Sequence, residues 1–440
     1  MAIKVCKFGG TSMSDSKAIS RVSEIIKAEK DRRYIVLSAP GKRNKEDFKI
    51  TDKLYECYNT KCKCGTCAEP FKFIRERYQE IVDALKVKID LKSYLDVIQK
   101  EIDESTAPDY AASRGEYLSA LIMAKYLDYE FVDAAEIIRF KEDGSFDDVL
   151  TNELASARLS GVAYAVIPGF YGTLPNGVVK TFSRGGSDVS GSIVARAVSA
   201  DLYENWTDVS GFMTADPRII DNPKIIKKVS YQELRELSYM GASVLHPDAI
   251  FPVRLSGIPI NIKNTFSPED KGTMIVAHSP AHKADELVTG IAGKKDFSVI
   301  LVEKSMMNSE LGFARRIMSV LEEFGISFEH MPSGVDTLSV VLATSYLVGR
   351  EDKIVARIIE AVSPDSIVVH HGLALIATVG HGMNAKVGTA SRIFTALAKA
   401  NVNVRMIDQG SSEKNIIVGV QSVDYEATIK AIYNEFFGEN

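Results

Sequence analysis

The sequence predicts an α/β protein in which an N-terminal region with a mainly parallel central sheet is followed by two copies of a smaller α/β module. Strand-like and helix-like segments alternate as far as residue 262, which is typical of α/β domains. Several strand-like segments are continuously apolar, as strands are when both faces of a parallel sheet are covered. The last third of the chain repeats itself after 76 residues, which indicates duplicated modules.

The composition describes a globular chain of 440 residues, enough for roughly two to four domains. It is 45% hydrophobic and 25% charged, and 53 basic against 58 acidic residues leave a net charge of −5. This balance provides no basic surface for nucleic acid or anionic membranes. No apolar run reaches the roughly 18 residues of a spanning helix, and the N-terminus has no signal-peptide pattern. We therefore expect a cytoplasmic protein without nucleic-acid or membrane partners.

The N-terminal region opens with a β-α-β unit. Residues 3–8 have a strand pattern, Gly9 and Gly10 interrupt it, and residues 34–38 form a second, mostly apolar strand. The helix between the strands carries its apolar residues on one face: Ala18, Ile19, Val22, Ile25 and Ile26. Residues from about 43 to 110 are richer in charge and show helical periodicity without strong strands. They predict a mostly helical insertion.

The β-α alternation resumes after the insertion. The strand patterns lie at 164–168, 178–182 and 258–262, and the helix patterns at 116–127 and 189–198. This alternation favours parallel strands joined by crossover helices. We therefore assign residues 1–287 to one α/β domain.

The C-terminal region contains an internal duplication. The ten residues from Gly312 and the ten from Gly388 share five identities, and an apolar strand pattern follows each copy. A unit of about 70 residues with one amphipathic core helix fits a β-α-β-β-α-β arrangement. The sequence therefore predicts two ferredoxin-like modules, at 288–371 and 372–440.

Four of the five cysteines lie within eleven residues: Cys57, Cys62, Cys64 and Cys67. Structural zinc sites usually use two separated pairs of ligands, whereas this spacing is C-x4-C-x-C-x2-C. A small metal knuckle is the alternative, but we predict reduced thiols on a surface insertion and no metal site.

Two glycine-rich loops have the same construction. The runs KFGGTS, from Lys7 to Ser12, and RGGSD, from Arg184 to Asp188, each follow a predicted strand and open a predicted helix. Paired glycines let the backbone approach an anion, and the free N–H groups of a helix N-terminus bind it. A single Gly-Gly turn is more often structural. Two matching loops, each with one cation, indicate a site for a polyphosphate and an anionic co-substrate, although neither has the Walker A spacing.

Several longer motifs resemble those of the aspartokinase family, in the family's order. They are KFGGTS at 7–12, SRGE at 113–116, FSRGGSD at 182–188, TDVSGFMTADPRI at 207–219 and VLHP at 244–247. The duplicated tail resembles the paired ACT regulatory domains of that family. The resemblance covers the whole chain and implies an amino-acid-kinase-like sandwich over residues 1–287, followed by the ACT modules.

The resemblance implies transfer of the ATP γ-phosphoryl group to the side-chain carboxylate of L-aspartate. The product would be 4-phospho-L-aspartate, in the first step of lysine, threonine and methionine biosynthesis. Donor and acceptor are both anions, so catalysis rests on positioning and charge neutralisation. By resemblance, Lys7 stabilises the transferred phosphoryl group and Asp188 organises Lys7. The acceptor carboxylate is already ionised at neutral pH, so we assign no general base.

Substrate and nucleotide contacts are also implied. Arg184 would bind the α-carboxylate of aspartate and Glu116 its α-ammonium group, although Arg184 and Asp188 could instead be a structural ion pair and Glu116 a helix-dipole partner. The other predicted substrate contacts are Ser38, Thr51 and Ser187. ATP, bound with Mg²⁺, is assigned to Lys7, Gly9, Gly10, Ser12, Thr207, Asp208, Met213, Arg218, Ser243 and Val244. Many family members have an aromatic residue in place of Met213 and a lysine in place of Ser243.

The ACT resemblance implies feedback control by an end-product amino acid, with lysine favoured over threonine. The predicted effector contacts are Met306, Gly312, Phe313, Ser333, Asp336 and Thr337. Modules of this type expose a sheet edge that pairing covers. We therefore predict a homodimer or a dimer of dimers formed through the ACT modules.

Three other functions compete for the same residues. The run VGHGMNA, from Val379, fits a dinucleotide-binding loop, but the repeat aligns it with Ser305 to Met307, and only 60 residues follow Gly380. A fused homoserine dehydrogenase would need a further complete domain, so we predict a monofunctional kinase. A non-catalytic amino-acid sensor would not need both cationic loops. Kinases of glutamate or acetylglutamate share the glycine loops but are not expected to carry an ACT tail.

Overall fold

The structure is a computed structural model that describes residues 2–183, 185–242, 250–277, 287–410 and 414–438. The chain divides into two compact units. The first contains residues 1–212, 225–231 and 243–279, and the second contains residues 213–224, 232–242 and 280–440. Among the described residues, no helix is both long and apolar enough to cross a membrane.

The first unit is built on one large sheet. Its strands are β1 (Lys4–Phe8), β2 (Arg32–Leu37), β3 (Glu130–Phe131), β4 (Ala165–Pro168), β7 (Leu202–Thr207), β8 (Lys228–Ser230), β9 (Ile260–Asn264) and β10 (Thr273–Val276). The strand order is β3-β4-β2-β1-β7-β9-β10-β8. Neighbours pair in parallel except β9 with β10, so the predicted mainly parallel sheet is confirmed. A separate antiparallel hairpin pairs β5 (Tyr171–Thr173) with β6 (Val179–Thr181).

The helices of this unit pack on the sheet or on one another. They are α1 (Ser16–Ala28), α2 (Ile50–Cys64), α3 (Ala68–Leu85), α4 (Leu91–Glu104), α5 (Pro108–Leu127), α6 (Ala134–Ile137), α7 (Asp148–Leu159), α8 (Gly186–Ala197) and α10 (Phe251–Ser256). Helix α1 begins where the side chain of Asp15 accepts a hydrogen bond from the Ala18 amide, which is ordinary N-capping. Its predicted apolar face is buried.

The insertion consists of α2, α3 and α4, and all four clustered cysteines lie on α2 or at the turn into α3. Cys57 and Cys67 are buried, whereas Cys62 and Cys64 are exposed at the end of α2. All of them are free thiols. Within the described part of the chain, no group of three or more His, Cys, Asp or Glu side chains is placed to hold a metal ion.

The second unit is built on an antiparallel sheet of five strands among the described residues. They are β11 (Gly290–Glu303), β12 (Thr337–Ala343), β13 (Ser366–Val379), β14 (Met406–Asp408) and β15 (Asn415–Gln421), in the order β12-β11-β13-β15-β14. The helices are α9 (Tyr231–Tyr239), α11 (Phe313–Glu323), α12 (Glu351–Val362), α13 (Thr389–Lys399) and α14 (Tyr425–Phe437). The two predicted α/β modules are thus joined in one sheet.

The duplication is visible in the backbone. Gly312 and Gly388 each precede the core helix of a module with φ of 76° and 93°, a left-handed conformation that favours glycine. Strands β11 and β13 serve both modules, since residues 297–303 pair with β12 and residues 290–294 pair with the end of β13. The division at 371/372 therefore falls inside a continuous strand.

Candidate functional site

The candidate site lies where the parallel strands of the first unit end. Lys7 is on the central strand β1, where it is in register with Val36 of β2 and Asn205 of β7. Its side chain is 9% exposed. The loops after β1, β2 and β7 therefore meet at one edge of the sheet, which is where α/β proteins bind ligands.

The first glycine loop follows β1 and is held mainly by backbone hydrogen bonds. The Gly9 amide donates to the Trp206 carbonyl at 3.1 Å, and the Gly41 amide donates to the Gly10 carbonyl at 2.8 Å. A methyl group on Gly41 would lie 2.7 Å from the carbonyl carbon of Gly10, so glycine is needed for this approach. A side chain at Gly9 would begin 3.5 Å from the Lys7 ammonium; glycine leaves that space open.

The second glycine loop meets the first through an ion pair. Asp188 is in the first turn of α8, and the Lys7 Nζ lies 2.6 Å from its Oδ1. Asn205 donates its side-chain amide to the same oxygen at 2.9 Å. Gly185, before the helix, is left-handed with φ of 59°. The two loops that the sequence singled out therefore converge on the Lys7 side chain.

Ser187 of the second loop and Glu116 of α5 are held at this edge by close packing. A methyl group on Gly169, which follows β4, would lie 2.8 Å from the Cβ of Ser187; the helix start is therefore pressed against the end of that strand. Helix α5 comes equally close to the turn after β2, because a methyl group on Gly115 would lie 2.6 Å from the Cβ of Ala39. That contact places Glu116 at the same turn.

Glu116 is the most perturbed carboxyl group of the site. It is 5% exposed, and its Oε2 is buried without a hydrogen-bond partner in the structure. Burial raises the pKa of Glu116 to about 8, against the opposing effects of a hydrogen bond from the Ala39 amide and the charge of Arg114. Arg114 itself is enclosed by the rings of three tyrosines: Tyr110, Tyr117 and Tyr171. A buried carboxyl oxygen without a partner suits a cationic ligand group.

Hydroxyl groups line the same edge. Ser38 is half-buried directly after β2, and Thr51 is half-buried in the first turn of α2. The Ile50 amide donates to the Pro40 carbonyl, which ties Thr51 to the turn after β2. The side chain of Ser12 is buried and shares a 2.8 Å hydrogen bond with Thr265.

After β7, Thr207 and Asp208 continue this edge. Thr207 donates its hydroxyl to Asp208 at 3.3 Å, and Thr11 donates to the same carboxylate at 3.4 Å. Asp208 is exposed. Of the predicted nucleotide contacts in the first unit, Lys7, Gly9, Gly10, Ser12, Thr207 and Asp208 thus lie on the adjacent ends of β1 and β7.

Other predicted residues lie elsewhere. Arg184, Ser243 and Val244 are outside the described residues. Met213 and Arg218 belong to the second unit, where Arg218 forms an exposed ion pair with Asp216.

The predicted effector contacts surround the start of α11 in the first module. The Met306 amide donates to the Asp336 side chain at 2.8 Å, and the Gly334 amide donates to the Thr337 carbonyl. Phe313 is 4% exposed and packs in the module core. The backbone of Ser333 bridges to Leu338.

The rival dinucleotide loop at the end of β13 has no room for a phosphate at its first glycine. A methyl group on Gly380 would lie 2.1 Å from the Leu287 carbonyl oxygen, and the His381 amide donates to Glu233 at 3.1 Å. This glycine allows close packing of two backbones within the second unit.

Several residues of the site were not predicted. Asn205, Gly41, Gly169 and Thr265 contact the predicted residues but lie outside every motif discussed above. One signal was available for Asn205: it is an amide beside Trp206 in the strand that follows α8, and a buried amide requires a partner. Gly41 and Gly169 follow apolar strands, as many ordinary turn glycines do.

Comparisons with known proteins identify the family of this chain. The Amino acid kinase family profile matches residues 2–264, and an ACT domain profile matches residues 376–436. Aspartokinase 3 of Bacillus subtilis (strain 168) is 38% identical to the chain, with 99% of each covered. The crystal structure of Clostridium acetobutylicum aspartate kinase is 54% identical, with a TM-score of 0.92 and 99% of each chain covered. E. coli aspartokinase III, solved with aspartate and ADP, is 25% identical, with a TM-score of 0.73, 99% of this chain and 100% of that one.

The fold, the paired loops and these similarities agree with one another. The chain belongs to the amino acid kinase family, and within it to the aspartokinases, which are ATP-dependent kinases that phosphorylate aspartate.

Proposed function

We propose that the site around Lys7 transfers the γ-phosphoryl group of ATP to the side-chain carboxylate of L-aspartate, giving 4-phospho-L-aspartate. The observation that carries this proposal is the 2.6 Å contact between Lys7 and Asp188, which joins the two glycine loops at the edge of the sheet. The similarity to an enzyme solved with aspartate and ADP supports it.

Lys7 is the proposed electrostatic catalyst. Its ammonium neutralises charge on the phosphoryl group as that group moves between two anions. Asp188 holds the Lys7 side chain in place, and Asn205 donates a hydrogen bond to Asp188. Aspartate has an ordinary side-chain pKa of about 3.9, so its carboxylate attacks without a general base.

The acceptor side is defined by charge. We assign the α-ammonium group of aspartate to Glu116, because its buried Oε2 has no partner in the structure. Arg184, by resemblance, binds the α-carboxylate through a bidentate contact. Ser38, Thr51 and Ser187 supply hydroxyl groups to the same substrate.

Mg²⁺ is proposed to enter as the complex with ATP. This ion prefers oxygen donors and keeps several of its waters. The Asp208 carboxylate with the hydroxyls of Thr11 and Thr207 is a donor set that fits such a complex. When bound, Mg²⁺ neutralises phosphate charge, whereas Lys7 provides the fixed cation of the protein.

The ACT modules are proposed to make the enzyme sensitive to an end-product amino acid, lysine before threonine, within lysine, threonine and methionine biosynthesis. The effector would contact the backbone around Met306, Gly312 and Phe313 and the turn containing Ser333, Asp336 and Thr337. Since Phe313 is buried, its side chain is not available to the effector. We further propose that the chain forms a homodimer or a dimer of dimers through these modules and is cytoplasmic. The proposed domain boundaries are at residues 287 and 371.

The test is acceptor specificity. Purified protein is incubated with ATP, Mg²⁺ and hydroxylamine, and either L-aspartate or L-glutamate is supplied. We expect aspartyl hydroxamate and stoichiometric ADP with aspartate only. Hydroxamate from glutamate at an equal rate would favour the glutamate kinase alternative, and no hydroxamate from either would refute the proposed reaction. Adding lysine or threonine to the same assay tests which amino acid is the effector, because the effector should lower the rate of hydroxamate formation.

A further inference from the structure

A buried arginine of the helical insertion connects two loops of the proposed site. Arg77 projects from α3, and its side chain is 2% exposed. Its Nη2 donates to both carboxylate oxygens of Asp47 at 2.7 Å, and its Nη1 donates to the Ser14 carbonyl at 3.2 Å. One guanidinium therefore contacts the end of the first glycine loop and the segment that precedes Thr51.

Asp47 organises the segment on its side. Its carboxylate accepts hydrogen bonds from the Arg43 amide at 2.9 Å and the Arg43 Nε at 3.1 Å. Burial alone would raise the pKa of Asp47, but hydrogen bonds from Arg43, Phe48 and Arg77 hold that pKa well below its ordinary value. Asp47 is therefore an ionised centre around which residues 43–48 turn.

The same two loops are also joined at their other end. The Gly41 amide donates to the Gly10 carbonyl at 2.8 Å. The first loop, residues 9–14, is thus attached to the segment 38–51 near its start by backbone contact and near its end by Arg77. Two attachment points fix the separation and the relative orientation of two segments, whereas one leaves a pivot.

We propose that Arg77 and Asp47 form a positioning pair that sets the distance between the phosphate-binding loop and the acceptor-binding segment. The pair touches neither substrate. It acts through Ser14 on the loop assigned to ATP and through residues 43–48 on the segment that carries Thr51. This inference rests on the proposed function and gives the insertion helix α3 a role in phosphoryl transfer.

The proposed reaction requires a fixed distance between the two segments that this pair connects. Phosphoryl transfer depends on holding donor and acceptor in line, and a misplacement of about 1 Å can reduce a rate about 100-fold. A buried ion pair with several hydrogen bonds holds a fixed geometry. Removing either partner leaves an uncompensated charge in the interior. A displaced acceptor leaves the γ-phosphoryl group open to water.

The test uses Arg77→Lys and Asp47→Glu, which keep both charges but change their reach. We expect kcat for aspartyl hydroxamate to fall about 10- to 100-fold while KM for ATP stays within about threefold. We also expect the ratio of ADP to hydroxamate to rise above one, because water replaces the misplaced acceptor. The double variant should lose no more than the worse single variant, since the two residues act as a unit. Arg75→Lys is the matched control: it is on the same helix, but Arg75 pairs with the exposed Asp96.

The ratio and the KM do not depend on how much of the sample is folded, so they separate positioning from stability. If kcat falls only in proportion to the folded fraction, with the ratio at one, the pair is merely structural and the proposal is wrong. If Asp47→Glu and Arg77→Lys both keep wild-type kinetics, it is also wrong. Wild-type protein assayed in parallel keeps this outcome distinct from failure of the proposed reaction.

Discussion

The two glycine loops look alike in sequence but are held differently in the structure. The first loop, residues 9–14, is fixed by backbone hydrogen bonds to Trp206 and Gly41. The second loop, described at residues 185–188, is held mainly by side chains: Asp188 contacts Lys7 and Asn205, and the Ser190 hydroxyl accepts from the Phe170 amide and donates to the Gly186 carbonyl. Backbone contacts tolerate side-chain changes but not added bulk. The difference predicts which substitutions each loop accepts.

Lys7 is on β1, just before the first loop, and contacts Asp188 of the second, so its removal should have the largest effect. In Lys7→Ala the transferred phosphoryl group loses its fixed cation and Asp188 loses its partner. We expect kcat to fall about 1,000-fold or more, with the fold kept. Hydroxamate formation measures the rate, and circular dichroism provides the control. Activity close to wild type would remove Lys7 from the mechanism.

The first loop should be most sensitive to added bulk at Gly41, a residue of the turn after β2 that contacts Gly10. Gly41→Ala places a methyl group against the Gly10 backbone, and overpacking of this kind costs about 1–3 kcal/mol. We expect lower thermal stability and a rise in KM for ATP. Gly410→Ala is the control, because no atom of the described residues lies within 4 Å of a methyl group there. Equal stability of the two variants would contradict the close approach of Gly41 to the Gly10 backbone.

The turn joined to the first loop also holds Glu116, whose raised pKa predicts a pH dependence. In the free protein this carboxyl group is mostly protonated below pH 8, and it becomes ionised above that value. Binding an ammonium group requires the ionised form. KM for aspartate should therefore increase about tenfold for each pH unit below 8.

Steady-state kinetics between pH 6 and 9 measure this dependence. In Glu116→Gln, KM for aspartate should be high at every pH and nearly constant. A pH profile that is the same in wild type and variant would mean that another group titrates.

The second loop should depend on Asn205, because side chains hold it. Asn205→Ala removes the hydrogen bond that orients Asp188. We expect kcat to fall about tenfold, which corresponds to about 1.4 kcal/mol, with little change in KM for ATP. Wild-type kcat in this variant would show that Lys7 alone positions Asp188.

The smallest effect is expected for a side-chain change in the first loop. Ser12→Ala removes the buried hydrogen bond to Thr265, which contributes about 1 kcal/mol of stability. Since the loop is held by its backbone, kcat should change less than threefold. A loss of kcat larger than that of Asn205→Ala would mean that side chains matter more in the first loop than in the second.

Most of the fold could be predicted because its signals are local. The apolar face of α1 and the apolar strands at 34–38 and 164–168 follow from periodicity over a few residues. The repeat between Gly312 and Gly388 predicted two modules. Both glycines are left-handed and precede a core helix. The pairing of residues 290–294 with β13 could not be predicted, since those residues lie at the start of the first module and no local pattern links them to the second.

The candidate site divides in the same way. Lys7, Glu116 and Asp188 stand in motifs beside glycines, so their chemistry was visible along the chain. Asn205 and Gly41 contribute only through the sheet register and loop packing, and Arg77 lies in a helix with an ordinary charged surface pattern. Such residues act on segments distant in sequence, which the spacing of a motif does not encode.

The amino-acid order alone determined where strands end, where helices begin and which loops carry cations, because these depend on neighbours a few positions away. Only the tertiary structure brought Lys7 within 2.6 Å of Asp188 and left a buried oxygen of Glu116 without a partner. The physical reason is that an ion pair and a desolvated carboxyl group depend on distance and burial, which arise when separate segments pack on one sheet.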